Sequence, residues 1–160
     1  MLTVQAVLAN AAHQDWEVKH IDVKSAYLNA LLSETIYMKP PRGVLKPGQK
    51  GKVLRLLKGL YGLKQAERCW HCEMSKVFIN ELGFKWSVID HLVFYWCQGE
   101  EHTIITVATD DMALTSKRPA DAEKVKSEIQ KFWDITDHQP IFNGSWVLKL
   151  NETARQKLFP

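Results

Sequence analysis

The sequence predicts an α+β fold, in which an antiparallel sheet carries helices packed on one face. Short apolar runs rich in β-branched residues alternate with segments in which apolar residues recur every three or four positions. Two of these runs, residues 92–97 and 103–108, are joined by a polar turn through Gly99, which indicates adjacent strands. The 160 residues are 46% hydrophobic and 24% charged, which is typical of a globular domain with its own core.

Each predicted element has a local signal. The first helix, residues 2–12, has apolar residues at helical spacing. A long helix over residues 64–82 ends at Gly83, and Pro119 opens another helix. Ser25 begins a short helical turn. The predicted strands are residues 18–23, 36–38, 53–57, 92–97, 103–108, 112–115 and 146–150.

Two adjacent aspartates, Asp110 and Asp111, follow the apolar run 103–108. The run is apolar on both faces, which predicts a buried central strand with the acidic pair at its tip. Neighbouring negative charges repel unless a divalent cation or a basic group offsets them, and carboxylate oxygens favour Mg²⁺ or Mn²⁺. The alternative is a solvated turn, since aspartate is common in turns.

A third carboxylate, Asp22, closes the predicted strand 18–23. If this strand pairs with the acidic hairpin in one sheet, Asp22, Asp110 and Asp111 meet at one edge. Three such carboxylates can hold two divalent ions about 3.5–4 Å apart, the arrangement used for in-line phosphoryl displacement. The alternation of side chains places His20 on the same face as Asp22. His20 is therefore either a modulator of metal binding or a hydrogen-bonded core imidazole.

Six short blocks of the sequence carry a family pattern. They are residues 22–29, 36–43, 60–70, 83–85, 90–95 and 110–112. In their order and approximate spacing they resemble the palm region of the reverse transcriptase of copia-type long-terminal-repeat retrotransposons. The resemblance covers most of residues 1–150.

The resemblance implies roles for particular residues. Asp22, Asp110 and Asp111 match the catalytic carboxylates that bind Mg²⁺ or Mn²⁺. Tyr27 matches the aromatic residue under the incoming sugar, with a core aromatic as the alternative. Lys64 and Gln65 match positions close to the nucleotide and template, although a solvent-facing helix residue accounts for Gln65 as well.

The chain also departs from the family pattern. Ala108 and Thr109 stand where the family has Tyr-Val, and Glu67 stands where it usually has proline. The upstream fingers segment, the thumb and ribonuclease H are not recognisable, so we expect one palm-like domain over residues 1–160 that is weak or inactive alone. The alternative is a domesticated, non-catalytic palm that binds nucleic acid or associates with itself.

Positive charge is concentrated between Arg42 and Arg68, a segment that contains eight basic residues and one acidic residue, Glu67. Such a segment can follow a phosphate backbone, which predicts weak binding of an RNA or DNA template-primer. The alternative is a solvated loop. The candidate contacts are Lys46, Lys50, Lys52, Arg55, Lys58 and Arg68.

The sequence has no apolar run of about 18 residues and no basic leader. We therefore expect neither membrane spanning nor secretion but an intracellular location, either cytoplasmic or nuclear.

Cys69 and Cys72 have the spacing of a zinc-binding pair, but no second pair of ligands matches it, and we interpret them as packing residues of a helix. Six tryptophans supply more apolar area than a small domain readily buries, which predicts a homodimer, with a monomer as the alternative.

Overall fold

A computed structural model describes residues 2–44, 48–49 and 51–138 of the chain. Within them the α+β class is confirmed, since helices accompany antiparallel sheets. The predicted strand 146–150 lies outside the described residues. The elements are α1 (Leu2–His13), β1 (Glu17–Val23), a 3-10 helix (Ala26–Asn29), β2 (Leu31–Met38), β3 (Leu54–Lys58), α2 (Lys64–Lys76), a π-helical turn (Val77–Glu81), β4 (Lys85–Trp86), β5 (Val93–Gln98), β6 (Glu101–Ala108), β7 (Asp111–Ser116), α3 (Pro119–Ile129) and β8 (Ile135–His138).

The described residues divide into two compact units, one formed by those within Met1–Lys24 and Lys76–Pro160 and the other by those within Ser25–Ser75. The first unit contains a six-stranded sheet in the order β4-β5-β6-β7-β1-β8, and every neighbouring pair is antiparallel. The strands β6 and β7 form a hairpin at the centre. β1 lies beside β7, so a segment early in the chain borders the tip of this hairpin.

Helices cover both faces of this sheet rather than the one face expected from the sequence. Directly paired residues of an antiparallel sheet share a face. On the face that carries Ala113, Val4 of α1 packs against this residue. On the opposite face Lys19 of β1 pairs with Glu123 of α3 at 2.8 Å. The physical reason is that the central strands are apolar on both sides and need covering on each.

Aromatic rings fill the core on the α3 face. The ring of Phe78 contacts Phe94 of β5 with centroids 5.0 Å apart and Trp133 with centroids 6.1 Å apart. Phe78 belongs to the π-helical turn, in which the Leu82 amide donates to the Val77 carbonyl oxygen at 3.1 Å. The predicted helix over residues 64–82 is therefore an α-helix followed by this wider turn.

The second unit holds the 3-10 helix, the antiparallel pair β2–β3 and α2 up to Ser75. Gly59 follows β3, and its amide donates to the Ala30 carbonyl oxygen at 3.0 Å. A Cβ atom at this position would lie 2.7 Å from the Tyr27 carbonyl oxygen, so the close approach of the two chain segments requires glycine. The prediction of one palm-like domain over residues 1–160 stays a prediction.

Candidate active site

Asp22 and Asp111 lie directly opposite each other where β1 and β7 pair. Directly opposed residues have Cβ atoms about 4.5–5.5 Å apart, so the two carboxyl groups share one small region of the sheet surface. Asp110 precedes Asp111, and its carbonyl oxygen accepts a hydrogen bond from the Val23 amide at 3.0 Å. The backbone thus brings the three predicted carboxylate positions to one end of the sheet, while their role as metal ligands stays a prediction.

The turn that carries Asp110 has an unusual backbone conformation. Thr109 has a φ angle of 65°, in the left-handed region. A β-branched residue rarely adopts this region, because its Cβ approaches the following carbonyl oxygen at a cost of about 1–2 kcal/mol. Ala108 pairs with Asp111, so Thr109 and Asp110 form a two-residue turn, and such hairpin turns favour a positive φ at their first residue. The conformation of Thr109 therefore follows from the tight hairpin that places Asp110 at its tip.

Two histidines lie beside the carboxylates on the same face. The His20 Nε2 atom lies 2.7 Å from Oδ1 of Asp111, and the His20 side chain is only 12% exposed. His138 of β8 is paired with His20 in the ladder, and their rings stack with centroids 4.8 Å apart. The sequence placed His20 on the face of Asp22 but missed His138, because a four-residue strand is too short to give a periodic signal.

The electrostatic environment of Asp22 opposes its ionisation. Burial raises the pKa of Asp22 above its ordinary value, and the negative charges of Asp111 and Asp110 raise it further. His138 and His20 act in the opposite direction. A bound divalent cation would remove the repulsion between the carboxylates, because it is the largest charge such a site can receive.

The carboxylate donors fit a hard cation in their chemistry. Carboxylate oxygens are the ligands of Mg²⁺ and Mn²⁺, and each carboxylate has a second oxygen that can coordinate when the first accepts a hydrogen bond. Over residues 2–44, 48–49 and 51–138, no three histidine, cysteine, aspartate or glutamate side chains are arranged as they stand to hold a metal ion. The donor types are thus those that a hard cation takes, but among these residues they are not grouped as a formed metal site.

The predicted substrate-binding residues belong to the second unit. Tyr27 is half-buried, and its ring contacts that of Tyr61 with centroids 4.5 Å apart. The Gln65 side-chain amide donates to Glu34 Oε2 at 3.2 Å, while Lys64 is exposed. The role of all three predicted residues toward a nucleotide stays a prediction.

Comparison with known proteins places this arrangement in a family. The family model described as reverse transcriptase (RNA-dependent DNA polymerase) matches residues 1–150. The chain belongs to this family. Its relatives identify the copia-type branch of retrotransposon polyproteins.

Three relatives illustrate the extent of the similarity. The retrovirus-related Pol polyprotein from transposon TNT 1-94 of Nicotiana tabacum is 35% identical over 160 residues, 99% of this chain and 12% of that protein. The Pol polyprotein from transposon RE1 of Arabidopsis thaliana is 29% identical over 139 residues, 87% of this chain and 9% of that protein. The truncated transposon Ty1-A Gag-Pol polyprotein of Saccharomyces cerevisiae is 29% identical over 131 residues, 79% of this chain and 10% of that protein.

The chain thus spans about a tenth of the length of these relatives, from 9% to 12%. No solved structure matches it. In the part of the chain that the structure describes, no helix is long and apolar enough to cross a membrane.

The basic residues predicted to contact nucleic acid are exposed wherever the structure describes them. These are Lys52, Arg55, Lys58 and Arg68, while Lys46 and Lys50 lie outside the described residues. Arg55 of β3 lies directly opposite Tyr37 of β2, whose side chain is 60% exposed. An arginine and an exposed aromatic ring therefore share one face of the β2–β3 pair.

The cysteines differ from their prediction in one respect. Cys69 is half-buried, but Cys72 is exposed, so the interpretation of both as packing residues is wrong for Cys72. Cys69 and Cys72 are three residues apart on α2, so they are neighbours on the helix surface. They differ in burial, because Cys69 is half-buried and Cys72 faces solvent.

Proposed function

We propose that the chain is the catalytic palm of an RNA-directed DNA polymerase, in which Asp22, Asp110 and Asp111 bind Mg²⁺ or Mn²⁺. The observation that supports this best is the ladder position of Asp22 directly opposite Asp111, with the Asp110 backbone bonded to Val23. Membership of the reverse transcriptase family supports the same chemistry.

Each residue has a defined part in this proposal. Two bound divalent ions would supply activation of the attacking oxygen and stabilisation of the leaving oxygen. Asp22 and Asp111 would hold the cations from adjacent strands, and Asp110 would contribute from the hairpin tip. The family resemblance assigns Tyr27 to the sugar of the incoming nucleotide, and Lys64 and Gln65 to the nucleotide and template. This chemistry requires positioning as well as ligands.

Activity of the isolated chain is expected to be undetectable or very slow. Ala108 offers no aromatic support for a primer end. The exposed Glu67 precedes Arg68 and is the one acidic residue between Arg42 and Arg68, where every other charged residue is basic. Loss of positioning groups removes much of the rate enhancement even when the metal ligands survive.

A primer-extension assay with Mg²⁺ or Mn²⁺ measures this directly. We expect little or no product from the chain alone. Processive synthesis that disappears in Asp111→Ala would confirm the catalytic assignment and overturn the expected weakness. Asp15→Asn is the matched control, because it makes the same kind of change before β1, at the end away from Asp22, and asparagine tolerates the φ of 54° found at Asp15.

Binding of nucleic acid is the non-catalytic alternative, and the β2–β3 pair supports it. Tyr37, Arg55 and Leu57 lie on one exposed face of this pair, with Tyr37 60% and Leu57 67% exposed. A base can stack on the tyrosine ring while a phosphate contacts the guanidinium group. We propose that this face contacts single-stranded RNA or DNA, whether or not the carboxylates are active.

Self-association is proposed for the edge of the six-stranded sheet. Large apolar side chains are exposed beside β4, with Val88 93%, Ile89 85% and Trp86 49% exposed. Soluble proteins seldom leave such a cluster uncovered, and a two-fold homodimer is the simplest closed arrangement that covers it on both copies.

A further inference from the structure

The histidine pair beside the carboxylates has no part in the ligand set proposed above. Ala113 lies directly opposite His20 in the β1–β7 ladder, and Asp111 is two residues away on β7. Diagonal neighbours of this kind are within reach of a long side chain. The His20 ring thus extends along the sheet past the small Ala113 side chain to the carboxylate of Asp111.

The chemistry of the contact defines the direction of the hydrogen bond. When Asp111 is ionised its carboxylate has only acceptor sites, so the His20 Nε2 atom, 2.7 Å from Oδ1, is then the donor. Both the imidazolium form and one neutral tautomer provide this N–H. At 12% exposure the ring has little access to water, so the contact with Asp111 satisfies a group that would otherwise be costly to bury.

His138 holds the same ring from the other side of β1. It is paired with His20 across the β1–β8 ladder, and the two ring planes stack at an angle of 27°. The orientation of His20 is thus constrained by Asp111 on one neighbouring strand and by His138 on the other. A ring held in this way limits the orientations of the carboxylate that it contacts.

We propose that His20 is a positioning residue that orients the Asp111 carboxylate toward the divalent cation. This inference rests on the proposed metal-binding function. With Oδ1 engaged by His20, Oδ2 is the oxygen of Asp111 that would be available to a cation. Partners of metal ligands that act in this way change metal affinity by about 10-fold to 100-fold when they are removed.

The test is a titration of Mn²⁺ into the full chain, followed by the loss of the electron paramagnetic resonance signal of free Mn²⁺. We expect His20→Ala to raise the Kd for Mn²⁺ by about 10-fold or more. In His20→Gln the amide can donate the same hydrogen bond, and we expect affinity within about threefold of the parent chain. His102→Ala is the matched control, because His102 is also stacked on an aromatic ring, that of Trp16, but lies at the opposite end of β6 from the aspartates. Its Kd should not change.

Several outcomes would overturn the inference. Unchanged or tighter Mn²⁺ binding in His20→Ala would mean that His20 has no positioning effect or competes with the cation, while the proposed metal site would stand. Equal weakening in folded His20→Gln and His20→Ala would also exclude the hydrogen bond as the cause. If the parent chain binds no Mn²⁺, the proposed function fails and this inference fails with it.

A second measurement needs no metal and no histidine variant. In the metal-free chain, the ring nitrogen resonances of His20 are compared with those in Asp111→Asn by nuclear magnetic resonance. We expect the Nε2 resonance of His20 to shift, because its acceptor changes from a charged carboxylate to a neutral amide. An unchanged His20 spectrum would overturn the inference even if His20→Ala fails to fold.

Discussion

Replacing Asp22 by asparagine should stabilise the metal-free protein and weaken its response to metal. Asp22 and Asp111 are directly opposed in the ladder, and like charges in such positions destabilise a sheet by roughly 0.2–1 kcal/mol. Asparagine keeps the shape of the side chain without its charge. We therefore expect Asp22→Asn to gain about 0.5–1 kcal/mol in EDTA at pH 7, which corresponds to a rise of about 1–4 °C in Tm for a chain of this size.

The effect has a defined dependence on pH. The pKa of Asp22 in the folded state lies above its ordinary value of 3.8, so the folded protein binds the proton more tightly than the unfolded chain does. The contribution of Asp22 to the free energy of unfolding therefore falls as pH rises from 3.8 through the folded pKa. The advantage of Asp22→Asn should be complete above this window and should disappear below it.

Metal should reverse the order of stability. A cation bound only by the folded state adds about 1.4 kcal/mol at about ten times its Kd. We expect this gain for the parent chain in Mn²⁺ and a smaller gain for Asp22→Asn, which has lost an anionic ligand.

Thermal unfolding followed by circular dichroism measures these effects, in EDTA and in Mn²⁺, at a series of pH values. Asp15→Asn serves as the control for the chemical change alone. Lower stability of Asp22→Asn than of the parent chain in EDTA at pH 7, or an advantage that does not vary with pH, would refute repulsion between Asp22 and Asp111 as a destabilising effect.

Three further predictions address stability, assembly and binding. Lys19 is 9% exposed and bonds Glu17 and Glu123 at 2.8 Å each, so Lys19→Met should lower the free energy of unfolding in urea by about 1–3 kcal/mol, and an unchanged midpoint would contradict this. Sedimentation equilibrium over a hundredfold concentration range should reveal a dimer, with Ile89→Lys shifted to the 18.4 kDa monomer; a parent chain that is monomeric throughout excludes the dimer. Tyr37→Ala should weaken binding of a single-stranded oligonucleotide in fluorescence anisotropy by about 1–3 kcal/mol, without changing the salt dependence, and full affinity would rule out stacking on this ring.

The sequence predicted the parts of the fold that have strong local periodicity. The strand around Ile21 and the apolar run ending at Ala108 have clear patterns, and their pairing places the aspartates at one end of the sheet as expected. The strands β4 and β8 were missed, because two and four residues are too few for a periodic pattern. The coverage of both sheet faces was also missed, since a buried strand gives no indication of which helix covers which side.

The candidate site was predicted in its charges but not in its contacts. Three carboxylates at strand ends can be found from spacing alone. The hydrogen bond between His20 and Asp111 depends on the register of β1 with β7, and the stacking of His138 depends on β8, which is distant in sequence. Tertiary pairings of this kind are not encoded in any local window of the sequence, and they appear only in the three-dimensional structure.

Side chains alternate between the two faces along β1, so deletion of a residue from this strand affects the site far more than a surface substitution does. Ile21 is fully buried on one face and Asp22 points to the other. Deletion of one residue from β1 would exchange the faces, placing an apolar side chain against Asp111 and a carboxylate in the apolar layer. Copies of such a retroelement sequence can therefore accumulate many surface substitutions and retain the carboxylate cluster, whereas one in-frame codon lost from β1 would abolish it at once.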